Sequence, residues 1–229
     1  MRVSLDSQLI ERVHELKIGL IHYTKISVGD SPQMLKGRLQ LFQEQLFFEI
    51  EEHGFEHFPT LTSYRTIFKQ TGTNPTRYRP SAEALYRRVA KQNYMLPVHS
   101  GIDSNTFFSL YYGIPFGLYD TAHLDGHLHF AIGDESTSYE ALNGRETTLT
   151  GILTSHDATG PFGSPYVDSV RTAVTTDTKD ALHILYFTPE TTEQQAEKTL
   201  EAVQSMFIQV HGGDSKHLLL TQSNPEGTI

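Results

Sequence analysis

Apolar residues recur at three- and four-residue intervals in several stretches of this chain and gather into short β-like runs elsewhere, so both periods must be read together. Over residues 33–53, Leu35, Leu39, Phe42, Leu46 and Ile50 fall on one helical face. Ser31 reads as the N-cap, Pro32 as the first helical position and Gly54 as a left-handed stop. The extra Phe47 and Phe48 widen the apolar surface beyond a single stripe. A shorter helix is expected from Ser63 to Gln70, stopped by Gly72. Another opens at Ser81, with Glu83 in its first turn, Ala82, Leu85 and Val89 on one face, and Arg87 and Lys91 opposite. Asp103 reads as the cap of a helix with Phe107, Leu110 and Tyr111 inward and Gly113 at its end. Thr192 opens a last one, in which Ala196, Leu200, Val203 and Phe207 keep helical spacing up to Gly212.

The strand-like runs are 17–28 and, after Ile114, "FGLYD", "HLHFAI", "GILTSHD", "VRTAVTT" and "ALHILYF". "HLLL" could add an edge strand to a tail otherwise loosely held from Asp214, and the glycines of "GPFG" read as turn residues. If Asp125-Gly126 is a two-residue hairpin turn, His127 and His129 share one face and His123 takes the other. Two imidazoles on one strand face are too few for a closed zinc site, so no metal and no cofactor is expected. The pattern predicts one α+β domain over 1–229: helical to about 113, β-rich over about 114–190, and closed by a helix at about 191–212.

Composition narrows the class. With 38% hydrophobic residues and 13 Phe, the chain can bury a sizeable core, and the absence of cysteine excludes disulfides, thiolate catalysis and cysteine-ligated metals. No apolar run reaches membrane-spanning length and the first residues lack a secretory pattern, so a cytoplasmic protein without membrane association is expected. There is no Gly-rich phosphate loop, dinucleotide fingerprint or G-x-S-x-G elbow.

A formal charge of −9 argues against coating nucleic acid by bulk charge. Its distribution changes that reading. Arg65, Lys69, Arg77, Arg79, Arg87, Arg88 and Lys91 meet one acid, Glu83, so this segment is strongly basic within an acidic chain. It reads either as a solvated face complementing a helix C-terminus or as a phosphate-recognition surface made by Arg77, Arg79, Arg87, Arg88 and Lys91.

The series "NPTRYRPSAEALYRRVAKQN", "LPVHSGIDSNTFFSLYYGIPFGLYD", "GHLHFAIGDES" and "VRTAVTTDTKDALHIL" resembles the free-standing B3/B4-domain proteins, relatives of the tRNA-editing module in the phenylalanyl-tRNA synthetase β subunit. Resemblance to the free-standing proteins covers most of the chain, and that to the module about 96–184. It implies an α+β fold with helices packed on an unusual β-sandwich, and a pocket for a mischarged aminoacyl end near "GIPFGLYD". Asp103, Gly113, Pro115 and Asp120 match the "VDxxN…GxPxHxFD" pattern, and Ala131, Glu135 and Thr178 match elsewhere. Where the synthetase pattern has a pocket histidine this chain has Gly117, where it has a glutamate this chain has Ile184, and its asparagine position is Thr106, with Asn105 beside it.

The expected pocket therefore comprises Ser109, Pro115, Gly117, Ala131, Glu135 and Ile184. The catalytic candidates are His99, Asp103, Asn105, Asp120 and Thr178, with His123 and Asp157 as further polar neighbours. Two functions follow from the resemblance. One is a deacylase that binds the acceptor end of tRNA and hydrolyses a mischarged aminoacyl ester in trans. The other is a non-catalytic module that binds an amino acid, a small aromatic ligand or a protein partner.

Overall fold

The computed structural model describes residues 1–229. Three sheets and six α-helices follow one another as β1 (Arg2–Leu5), α1 (Ser7–Arg12), β2 (Lys17–Thr24), α2 (Gln33–His53), α3 (Pro59–Thr71), α4 (Ser81–Val89) and α5 (Ser100–Tyr112). The chain continues through β3 (Phe116–Asp120), β4 (Leu128–Ile132), β5 (Ser138–Glu140), β6 (Glu146–Thr148), β7 (Leu153–Asp157), β8 (Gly160–Gly163) and β9 (Ala181–Phe187). It ends with α6 (Glu193–His211), β10 (Asp214–Leu220) and β11 (Glu226–Thr228).

One sheet runs β11-β1-β4-β7-β8, the second β10-β2-β9-β3, and β5 pairs only with β6. The two larger sheets face each other. Tyr119 of β3 meets Phe162 of β8 edge to face, and Tyr186 of β9 lies 2.9 Å, hydroxyl to hydroxyl, from Ser155 of β7. The opposite face of the second sheet carries α5 and α6, as Tyr23 stacking on Phe207 and His183 meeting Asn105 show. Strand β9 is central, and all seven of its residues are buried because helices cover one face and the first sheet the other.

The helices keep most of their predicted apolar positions inward, but several ends differ. Ser31 is not a cap. It is buried and its hydroxyl donates to Asp103, so Pro32 occupies the α2 cap position without a side-chain bond. Ser81 lies inside α4 with Pro80 as cap, and α3 starts four residues before the expected Ser63. Helix α5 likewise starts three residues before the expected Asp103, capped by His99, whose Nδ1 accepts from the Ile102 amide at 3.4 Å. In α5 Phe107 and Leu110 are inward, whereas Tyr111 is 56% exposed. Gly113 ends α5 at φ 65°, a left-handed conformation that suits glycine. Thr192 and Gln195 form the reciprocal capping box that opens α6.

In the β-rich part, "VRTAVTT" contributes only an isolated bridge at Ala173, and "GPFG" is strand β8 rather than a turn. No hairpin forms at Asp125-Gly126, because β3 and β4 belong to different sheets and His123 sits in a short 3-10 turn. The tail is held at both of its strands: β10 pairs with β2 along seven residues and β11 pairs with β1, leaving Ile229 buried. No helix is long and apolar enough to cross a membrane.

Candidate functional site

Gly117 and Ile184 are cross-strand neighbours in the β3–β9 register, on the face that looks across at the first sheet. Two of the positions that differ from the synthetase pattern are therefore adjacent in space. The room beside them is taken. A Cβ built on Gly117 would stand 2.0 Å from the Tyr119 hydroxyl, and one on Gly163 of the opposite sheet 2.1 Å from the same atom. Tyr119 is wedged between two glycines, one from each sheet. The synthetase pattern carries a phenylalanine where this chain has Tyr119, two residues beyond the pattern's histidine. That exchange is the sequence signal that could have revealed the filling.

The Tyr119 hydroxyl donates to Asp168 at 2.6 Å and lies 3.4 Å from the Tyr186 hydroxyl, which continues to Ser155 at 2.9 Å. With Tyr119 donating to the carboxylate, its oxygen accepts from Tyr186, and Tyr186 in turn accepts from Ser155, so the chain of donors runs one way. Asp168 is partly exposed as a residue, yet its carboxyl is desolvated under this network. Burial pushes that carboxyl up to about 7, while the Tyr119 hydroxyl and Ser164 amide hold it down. Burial likewise raises the phenols of Tyr119 and Tyr186.

The catalytic candidates are engaged by the fold. Asp103 accepts from the Val98 amide at 2.9 Å and from Ser31. Asp120 accepts from the Ala122 amide at 2.9 Å and from the Thr178 hydroxyl at 2.6 Å. Ser109 donates to the Ile114 carbonyl at 2.8 Å. Asp157 takes a two-pronged bond from Arg171 at 3.0 Å on each oxygen; burial alone would raise it, but Arg171 and the backbone amides hold it below the ordinary carboxylate range. Asn105 lies on α5, where its carbonyl oxygen accepts from His183 Nε2 at 2.9 Å. His183 is fully buried, and burial lowers its pKa to about 3, so the imidazole is neutral and Nε2 carries the proton. Pro115 is buried and its carbonyl accepts from the Tyr186 amide at 3.2 Å. Ala131 lies on β4 opposite Thr154, and Glu135 is exposed in the turn after β4. His123 is exposed, 3.9 Å from Asp120.

The basic segment is organised around Glu83. This carboxylate is only 2% exposed and receives Arg65 from α3 at 3.1 Å, Arg87 one turn on at 2.7 Å and Arg79 at 3.7 Å. Arg65 also reaches the Pro75 carbonyl and Thr76 hydroxyl, tying the connection before α4 to α3. Arg87 does not point away from the core: its guanidinium carbon lies 4.8 Å from the centre of the Phe55 ring. Arg77, Arg88 and Lys91 are exposed and form no ion pair. Arg77 lies 5.2 Å over Tyr78. Sequence spacing identified the cluster but not its centre, because Arg65 and Glu83, 18 residues apart, meet only through the long Arg65 side chain reaching from α3 to α4.

These features define an α+β protein with a sheet sandwich flanked by helices, and the family model for the B3/4 domain matches residues 63–216. The chain belongs to the B3/4 domain family. It is similar to the uncharacterized protein YhzB of Bacillus subtilis (strain 168), at 32% identity over 93% of this chain and 96% of that one. An N-terminal fragment of the phenylalanyl-tRNA synthetase β-subunit from Pyrococcus horikoshii aligns with 95% of this chain at 12% identity and a TM-score of 0.47; this chain spans 53% of that fragment.

Proposed function

We propose that this protein is an RNA-binding member of its family that engages the acceptor end of tRNA through Arg77, Arg88 and Lys91 without hydrolysing the aminoacyl ester, its whole length acting as one domain. One observation carries the reading: Glu83, the sole acid of the basic segment, is buried and surrounded by three arginines, so it cannot neutralise the outward cations. Phosphates are the natural counterion of such a face, and the resemblance in sequence selects tRNA among polyanions. A core running from Val3 to Ile229 supports a single unit. Absence of hydrolysis is supported by Tyr119 filling the space beside Gly117 and by the carboxylates of Asp103 and Asp120 accepting two bonds each from the protein. The trans-editing deacylase is the second reading, favoured only by the matched residues.

Filter binding of tRNA over a salt series tests the first half. Binding should weaken with salt, and the Arg77→Ala, Arg88→Ala, Lys91→Ala triple variant should lose affinity and flatten the log–log slope by about 2 to 3, near one for each phosphate left without its cation. Salt-independent or absent binding overturns it. Incubation with misacylated tRNAs tests the second half. Ester loss above the buffer rate would establish the deacylase instead.

A further inference from the structure

Away from the inter-sheet space, α2, α5 and α6 enclose a groove of about 740 Å³, within the range of roughly 300–1,000 Å³ common for small-molecule sites. Phe107 lies along its floor and is buried, while Met34, Leu41 and Tyr111 line it at 57%, 68% and 56% exposure. Met206 closes the side formed by α6. Large apolar side chains left open to water together, around a concave surface, mark a binding site more often than a bare surface does.

A single lining residue is charged at neutral pH, Arg38. It takes part in no ion pair. Its Nη1 donates to the Met206 thioether at 3.5 Å and its guanidinium carbon stands 6.0 Å from the centre of the Phe107 ring. A thioether is a weak acceptor, so most of the donor capacity of this planar fork is unused. The contrast with other arginines is internal to the protein: Arg65, Arg79 and Arg87 close on Glu83, and Arg171 closes on Asp157. An unpaired guanidinium held against sulfur and an aromatic ring, over an apolar cleft, is the complement of an amphiphile with one anionic end.

We infer that this groove binds a small hydrophobic monocarboxylate, its apolar body along Met34, Leu41 and Tyr111 and its carboxylate on Arg38. The inference stands independently of the RNA reading, because none of its residues belongs to the basic segment. Titration calorimetry with decanoate tests it, with decanol as the uncharged control. Decanoate should saturate one site and bind about ten-fold more tightly than decanol, the size of one charge-assisted interaction. Arg38→Gln should remove that advantage, so that decanoate binds no more tightly than decanol. Gly37 lines the groove and a Cβ there meets nothing within 4 Å, so Gly37→Phe should fill the groove, abolish binding of both ligands and retain or raise the melting temperature. Equal affinity for decanoate and decanol, or decanoate binding unaffected by Gly37→Phe, overturns the inference. So does absence of decanoate binding, and a wild-type dimer in light scattering that Gly37→Phe dissociates would then make the groove a self-association surface.

Discussion

Tyr119 shows how one side chain can determine what a strand matching a family pattern is able to do. Its hydroxyl sits within 2.0–2.1 Å of where two Cβ atoms would stand, so both Gly117 and Gly163 are required by its position rather than by any turn. Asp168 and Tyr186 fix that hydroxyl, which prevents the ring from swinging aside. Gly117→Ala should therefore destabilise the protein by about 1–3 kcal/mol, the usual cost of forcing an extra methyl into a packed core. In a Tyr119→Leu background the same change should cost at least about 1 kcal/mol less, measured as a double-mutant cycle in urea. Equal costs in both backgrounds would show that the Tyr119 ring is not what occupies the space. The sequence displayed glycine in place of a histidine, and tyrosine in place of phenylalanine, as two separate differences. Their mutual dependence shows in the packing, where the Tyr119 hydroxyl occupies the room a Gly117 side chain would need, and Gly163 of β8 leaves room for it from the other sheet.

At the level of elements, intervals of three and four placed α2 and α6, each of which buries one face in the core, whereas α5 is buried around most of its circumference, polar residues included. Their starts were less legible. Ser31 and Asp103 are good cap residues by type, but tertiary partners take up their side chains: Ser31 donates to Asp103, which also accepts from the Val98 amide. Thr192 opens α6 as expected, and its side chain forms a capping box with Gln195. Thr192→Ala should lower stability by about 1 kcal/mol, read from a chemical denaturation midpoint with an unchanged slope. A loss below a few tenths would mean that α6 is held entirely by packing. The connection into α4 shows the reverse case, in which charge visible in the sequence is spent inside the fold: Arg65, Arg79 and Arg87 serve Glu83, while Lys69, Arg77, Arg88 and Lys91 remain outward and unpaired.

Across the whole molecule, buried imidazoles set the response to acid. His183 is held neutral with its pKa lowered to about 3 by burial, reinforced by neighbouring His211, and burial also lowers His156 to about 4. Below the ordinary histidine pKa near 6.5 the unfolded chain takes up protons that folded His183 refuses, so stability falls as pH drops from about 6.5 toward 3. Asp168 acts in the opposite sense: its raised pKa, about 7, makes the folded state the better proton acceptor between about 4 and 7. The His183 share between pH 7 and pH 5 is about 2 kcal/mol. His183→Gln should be less stable than wild type at pH 7 and lose about 2 kcal/mol less on moving to pH 5, by urea denaturation at both pH values. An unchanged pH dependence would place the acid sensitivity elsewhere. Alone, the sequence determined the helices with clear apolar faces, the α+β class, the family and the uneven charge, because these depend on local period, composition and ordered short motifs. Tertiary structure decided that Gly117 and Ile184 adjoin a filled space, that Asp103, Asp120 and Asp157 are bound into the fold, and that Arg38 is left unpaired beside a groove. Each of those outcomes depends on which distant side chain reaches a given atom, and that is set by packing rather than by spacing along the chain.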